Sequence, residues 1–109
     1  LTTQPTTETV ALTLPREIPA GPAEIRATYR ARLNTDLRGF YLSTANNRRY
    51  AVTQFESTDA RRAFPSFDEP AFKATFSVAL TIDAGDTAIS NGRLLSDVPG
   101  PAPGRHTLA

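Results

Sequence analysis

The sequence contains no cysteine, which excludes a disulfide framework and any thiolate metal site. Its single histidine, His106, lies in a stretch rich in proline and glycine. A lone imidazole with no cysteine and no spaced carboxylate partner cannot build a zinc site, so His106 reads as a surface residue. Charge of one sign is also lacking. Twelve basic residues face eleven acidic ones, for a net charge of +1, which gives no basis for a nucleic acid or an anionic membrane as partner. The chain has no apolar run of roughly 18 residues and no signal-peptide pattern, and it reads as a soluble segment. H-E-x-x-H, a glycine-rich phosphate loop and a plausible Ser/His/Asp set are all absent from the sequence,.

What is present suits a small β protein. The 109 residues leave room for one domain at most,. Nine prolines imply many short elements joined by turns. Apolar residues make up 39% and charged residues 21%, both low for a compact domain, so the core is expected to be modest. The sequence begins with Leu1, and it is expected to be an excerpt of a longer protein.

Taken in order, residues 1–9 read as a polar, frayed lead-in, and Thr9 to Leu14 alternates as a short strand ended by Pro15,. Ile25, Ala27, Tyr29, Ala31 and Leu33 alternate with Arg26, Thr28, Arg30 and Arg32, the pattern of a half-buried strand with a basic, solvated outer face. Asn34 to Arg38 is a loop. Gly39 to Ser43 and Arg49 to Glu56 read as a β-hairpin turning at Asn46-Asn47, because asparagine tolerates positive φ,.

At Ser57 the period changes. Ser57 can cap a helical turn over Thr58 to Ala63, with Asp59 near its positive end, and Pro65 and Pro70 stop it from growing,. Lys73 to Asp83 alternates as the longest strand. Thr87 to Ser90 is expected to pair back on it, and Asn91-Gly92 signals a second hairpin leading into Arg93 to Ser96,. Pro99 to Gly104 stops regular structure, so residues 97–109 read as a Pro/Gly-rich tail or loop. Six or seven short strands with almost no helix predict an all-β, antiparallel sheet domain, either a saddle or a sandwich.

The stretch RYAVTQFESTDARRAFPSFDEPAFKATF, Arg49 to Phe76, organises the rest. Its charges, Glu56, Asp59, Arg61, Arg62, Asp68 and Glu69, sit between two alternating runs and read as a packed connection fixed by its own ion pairs. Asp68 and Glu69 could instead form an acid/base carboxylate pair, but adjacent residues rarely aim at one substrate atom. Arg61 and Arg62 are ready counter-ions, so Arg61, Arg62, Asp68 and Glu69 are assigned to structural pairs. Gln54 and Glu56 point to one side of their strand and Phe55 to the other. That makes Phe55 the core residue, and on residue types alone it makes Gln54 and Glu56 a solvated strand end.

From Gly39 to about Asp83, over about 45 positions in order, the sequence resembles the N-terminal domain of the aminopeptidase N family of zinc metallopeptidases, which includes puromycin-sensitive and endoplasmic-reticulum aminopeptidases. GFYLS and TQFESTDARRAFPSFDEPAFKATF carry the likeness. Members usually have cysteine where this chain has Ser66, a departure that bears on local packing.

The resemblance implies a saddle-like all-β domain in which further strands precede and follow this stretch. Strand edges covered in the parent would then be exposed here and open to self-association. It gives Glu56, in T-Q-x-E, a part in recognising the substrate's free α-amino group, with a second glutamate from the missing catalytic domain, and it places Gln54 at the pocket for the first side chain. It puts the zinc ligands and the general-base glutamate outside this sequence. Zinc is therefore a cofactor of the parent and is not bound here, and no catalytic residue is expected in this segment. The function implied is substrate N-terminus recognition in a zinc aminopeptidase that removes N-terminal residues from peptides. The alternative is a β-sandwich binding or structural module with no catalytic role.

Overall fold

A computed structural model describes residues 2–109. Among these, seven short strands form three antiparallel sheets, and the only helical element is a 3-10 turn, Ala60–Arg62. The all-β expectation holds. Two compact units are present, one ending at Phe72 and the other running Lys73–Ala109.

In the first unit, β1 (Thr2–Gln4) pairs with β2 (Thr9–Ala11). The polar lead-in is thus a strand, closed by a turn in which Thr7 N–H donates to the Gln4 carbonyl. The predicted central hairpin is present: β3 (Gly39–Ala45) pairs with β4 (Arg48–Gln54) from Gly39↔Gln54 to Ala45↔Arg48. Asn46 and Asn47 both take positive φ, 49° and 60°. This is the turn hand that matches strand twist, and asparagine adopts it at low cost.

Ile25 to Leu33 differs from expectation. It forms no strand, and Ile25 is 70% exposed. Alternation marks two faces, but a strand also needs a neighbour for its N–H and C=O groups, and no strand pairs with this run among the described residues. Its anchor is Tyr29, whose hydroxyl donates to the Ala63 carbonyl at 2.7 Å. The helical turn is also shorter than predicted. It is preceded by Asp59, not capped by Ser57, and no side chain caps it.

The second unit is a three-stranded sheet of β5 (Leu80–Asp83), β6 (Asp97–Pro99) and β7 (Arg105–Leu108), in the order β5-β7-β6. Only the last four residues of the predicted 73–83 strand are paired, and neither 87–90 nor 93–96 is a strand. The supposed tail, 97–109, supplies two of the three strands, and PGPAPG is the connection between them. Pro99 sits on edge strand β6, where a missing N–H is tolerated,.

His106, expected on the surface, is partly buried on β7. Its Nδ1 lies 2.8 Å from Asp97 Oδ1 and its Nε2 lies 3.2 Å from the Asp86 carbonyl oxygen. Arg105 pairs with Asp83 directly across the ladder at 3.1 Å.

Burial is shallow throughout. Leu108, at 8% exposure, is the buried hydrophobic residue among those described, while Phe76 is 70% exposed. Val10, Leu14, Ile25, Phe67 and Phe72 are likewise exposed. The apolar faces that the alternation marks out are therefore largely uncovered.

Candidate functional site

The site is built where the open end of the central hairpin meets the turn that follows it. Gln54 closes β4 opposite Gly39, and Glu56 follows two residues later. Both line one cleft of about 440 Å³, together with Leu37, Arg38, Asp59 and Arg62. Phe55 between them packs edge-on against Phe64, with ring centroids 5.6 Å apart and planes at 89°, a favoured aromatic geometry. The Glu56–Ser57 peptide bond is cis.

The wall opposite β4 is the 3-10 turn, brought in close by Gly39. A Cβ on Gly39 would lie 2.6 Å from Arg62 Cβ and 3.3 Å from the Asp59 carbonyl oxygen. Gly39 also has φ 67°, where a side chain is strained. Glycine is needed here on both counts. The loop before it is ordered by Asn34, whose Nδ2 donates to the Arg38 carbonyl at 3.0 Å and whose Oδ1 accepts from the Asp36 N–H at 2.7 Å. This asparagine turn fixes the backbone that carries Leu37 and Arg38 into the cleft.

The charged loop is held by ion pairs in a pattern the sequence only partly indicates. Asp68, with its side chain 11% exposed, accepts from both the Arg61 backbone N–H at 2.8 Å and Arg61 Nε at 3.0 Å. That side-chain hydrogen bond raises the Arg61 guanidinium above its ordinary value, and the charges of Asp68, Glu8 and Glu69 act in the same direction,. Arg62 binds Asp59 at 2.7 Å, and longer contacts run from Glu8 to Arg61 at 3.6 Å and to Arg62 at 3.7 Å. Glu69 is exposed and forms no ion pair among the described residues. Its predicted place in the loop network falls instead to Asp59 and Glu8. The Asp59–Arg62 spacing was a usable signal. Glu8, more than fifty residues away, offered none.

Glu56 stands apart from this network. It is exposed and has no ion-pair or hydrogen-bond partner among the described residues, although Arg62 lines the same cleft. Arg62 is already matched by Asp59. Among the described residues no three His, Cys, Asp or Glu are gathered so as to hold a metal ion. No helix is long and apolar enough to cross a membrane.

Asp68→Ala is expected to loosen this wall. The partly buried Arg61 N–H loses its acceptor, and that alone should cost on the order of 1–3 kcal/mol. Thermal melts of the variant beside Asp68→Asn, which keeps an acceptor oxygen, measure the effect. A melt identical to wild type would show that the contact does not hold the loop.

Comparison with known proteins identifies the family. The family model described as the peptidase M1 N-terminal domain matches residues 1–105. The chain belongs to that family.

Aminopeptidase M1-B of Oryza sativa subsp. japonica is 39% identical over 99 residues, covering 86% of this chain and 11% of that protein. Puromycin-sensitive aminopeptidase of Caenorhabditis elegans is 39% identical over 95 residues, or 83% of this chain and 10% of that protein. Endoplasmic reticulum aminopeptidase 1 of Rattus norvegicus is 44% identical over 97 residues, or 84% and 10%. This peptidase M1 N-terminal domain thus spans about a tenth of the length of the curated relatives it matches. No solved structure matches it.

Proposed function

We propose that this chain is the substrate-facing part of the N-terminal domain of a zinc aminopeptidase, and that it recognises the free amino end of a peptide. Glu56 accepts the substrate's α-ammonium group, and Gln54 lines the space for the first side chain. The catalytic domain, the zinc site and the reacting water belong to other parts of such an enzyme, and no metal ligand set is gathered among the described residues. This chain's contribution is binding and orientation.

One observation carries the reading. Gln54 and Glu56 share a cleft in which Glu56 is an unpaired carboxylate, while the neighbouring Asp59 and Arg62 neutralise each other. A peptide α-amino group has a pKa of about 8 and is largely cationic at neutral pH, so it is the natural partner for that carboxylate. Such a contact also selects against internal peptide bonds, which offer no ammonium.

The test is Glu56→Ala in an aminopeptidase carrying this segment, read as kcat/KM on aminoacyl-arylamides. An unchanged kcat/KM would favour the alternative, a β module with no part in catalysis.

A further inference from the structure

Once the ion pairs inside the cleft are matched, a second charge besides Glu56 is left over. Arg62 binds Asp59 at 2.7 Å and also reaches Glu8, which is shared with Arg61. Arg38 lines the same cleft, and its guanidinium has no partner among the described residues. Its backbone, by contrast, is well fixed. The Asn34 amide holds the Arg38 carbonyl, and left-handed residues bracket it, Leu37 at φ 61° and Gly39 at φ 67°. Gly39 pairs with Gln54, so Arg38 leaves the hairpin beside the strand end that leads to Glu56.

An ordered cleft that presents one free carboxylate and one free guanidinium is matched to a ligand bearing both an ammonium and a carboxylate. We infer that Arg38 is a specificity-determining residue that receives the side-chain carboxylate of a peptide whose first residue is Asp or Glu. This rests on the assignment of Glu56 to the α-ammonium. Guanidinium suits the task because its planar fork can take a carboxylate through two parallel hydrogen bonds. The cleft volume of about 440 Å³ falls in the range of small-ligand sites. A first residue with a neutral side chain would leave Arg38 unmatched, and a basic one would face repulsion.

The experiment is an NMR titration of the isotopically labelled chain, following the amides of residues 38–56. The probes are glutamate α-amide, glutaminamide, leucinamide and N-acetylglutamate α-amide. Glutamate α-amide is expected to bind about tenfold more tightly than its isostere glutaminamide, and that preference should collapse to within about twofold in Arg38→Gln. Arg38→Lys should restore part of it. Amide dispersion like that of the wild type confirms that each variant is folded.

Three outcomes overturn the assignment of Arg38. Glutamate α-amide could bind no more tightly than glutaminamide. The preference could survive Arg38→Gln. Or Arg38→Gln could strengthen glutaminamide binding, which would show that Arg38 neutralises Glu56 in the free protein. In each case Glu56-dependent binding of leucinamide would leave the amino-terminus reading standing. If no free-amine probe perturbs Gln54 or Glu56, the assignment of Arg38 falls, and Glu56→Ala in an aminopeptidase carrying this segment decides the amino-terminus reading.

Discussion

Gly39→Ala is expected to lower the melting temperature of the first unit by roughly 10 °C or more. Two costs combine. Alanine at φ 67° carries a left-handed penalty of about 1–2 kcal/mol. The new Cβ would also lie 2.6 Å from Arg62 Cβ, an atom fixed to the backbone that cannot swing aside. Forcing the 3-10 turn away from β3 adds an overpacking cost of about 1–3 kcal/mol. At about 4–8 °C per kcal/mol for a unit of this size, the sum gives the predicted shift.

The control is Gly85→Ala, where an added Cβ meets nothing within 4 Å and little change is expected. If Gly39→Ala melted together with Gly85→Ala, the turn would not press against β3 in solution. The cleft wall described above would then be absent.

The second large effect is on turnover. In an aminopeptidase carrying this segment, Glu56→Ala should reduce kcat/KM for free-amine substrates by about 10- to 100-fold. That is what losing a charge-assisted contact of about 1.5–3 kcal/mol implies. Glu56→Gln should recover part of the loss, since it keeps an acceptor oxygen but not the charge.

The way the loss divides is informative. If the ammonium is held equally in ground and transition states, KM rises and kcat stays level; if the contact positions the scissile bond, kcat falls as well. Substrates with an acetylated amino group already lack the charge, so the variant should not penalise them further. An equal loss on acetylated and free substrates would mean that Glu56 supports the fold and does not recognise the amino group.

The central hairpin was legible because its information is local. Asn46-Asn47 supplies the turn, and the alternation on either side sets a register that the structure keeps from Gly39↔Gln54 onward. Glu56 lies past the end of β4 in the turn that follows, so its place in the cleft beside Gln54 depends on that turn and not on the strand period. The Arg61–Asp68 contact lies seven residues apart, within reach of a reading of the loop.

Ile25 to Leu33 and Lys73 to Ala79 were equally regular in pattern yet form no strand. A side-chain alternation states which face would be buried, but it cannot supply the neighbouring backbone that a ladder requires. PGPAPG misled in the opposite sense. Its prolines and glycines do break structure, but between two strands that pair across the break, β6 and β7.

By itself, then, the sequence determined the β class, the hairpin turn and its register, and the family likeness carried by residues 39–83. Those properties depend on neighbours a few positions apart. Tertiary structure decided which charges are free. Glu8 reaches Arg61 and Arg62 across the fold, Asp59 takes Arg62, and Asn34 sets the backbone under Arg38. Whether a carboxylate is available to a ligand depends on whether a guanidinium has already reached it. That is a matter of distances in space, which spacing along the chain does not encode.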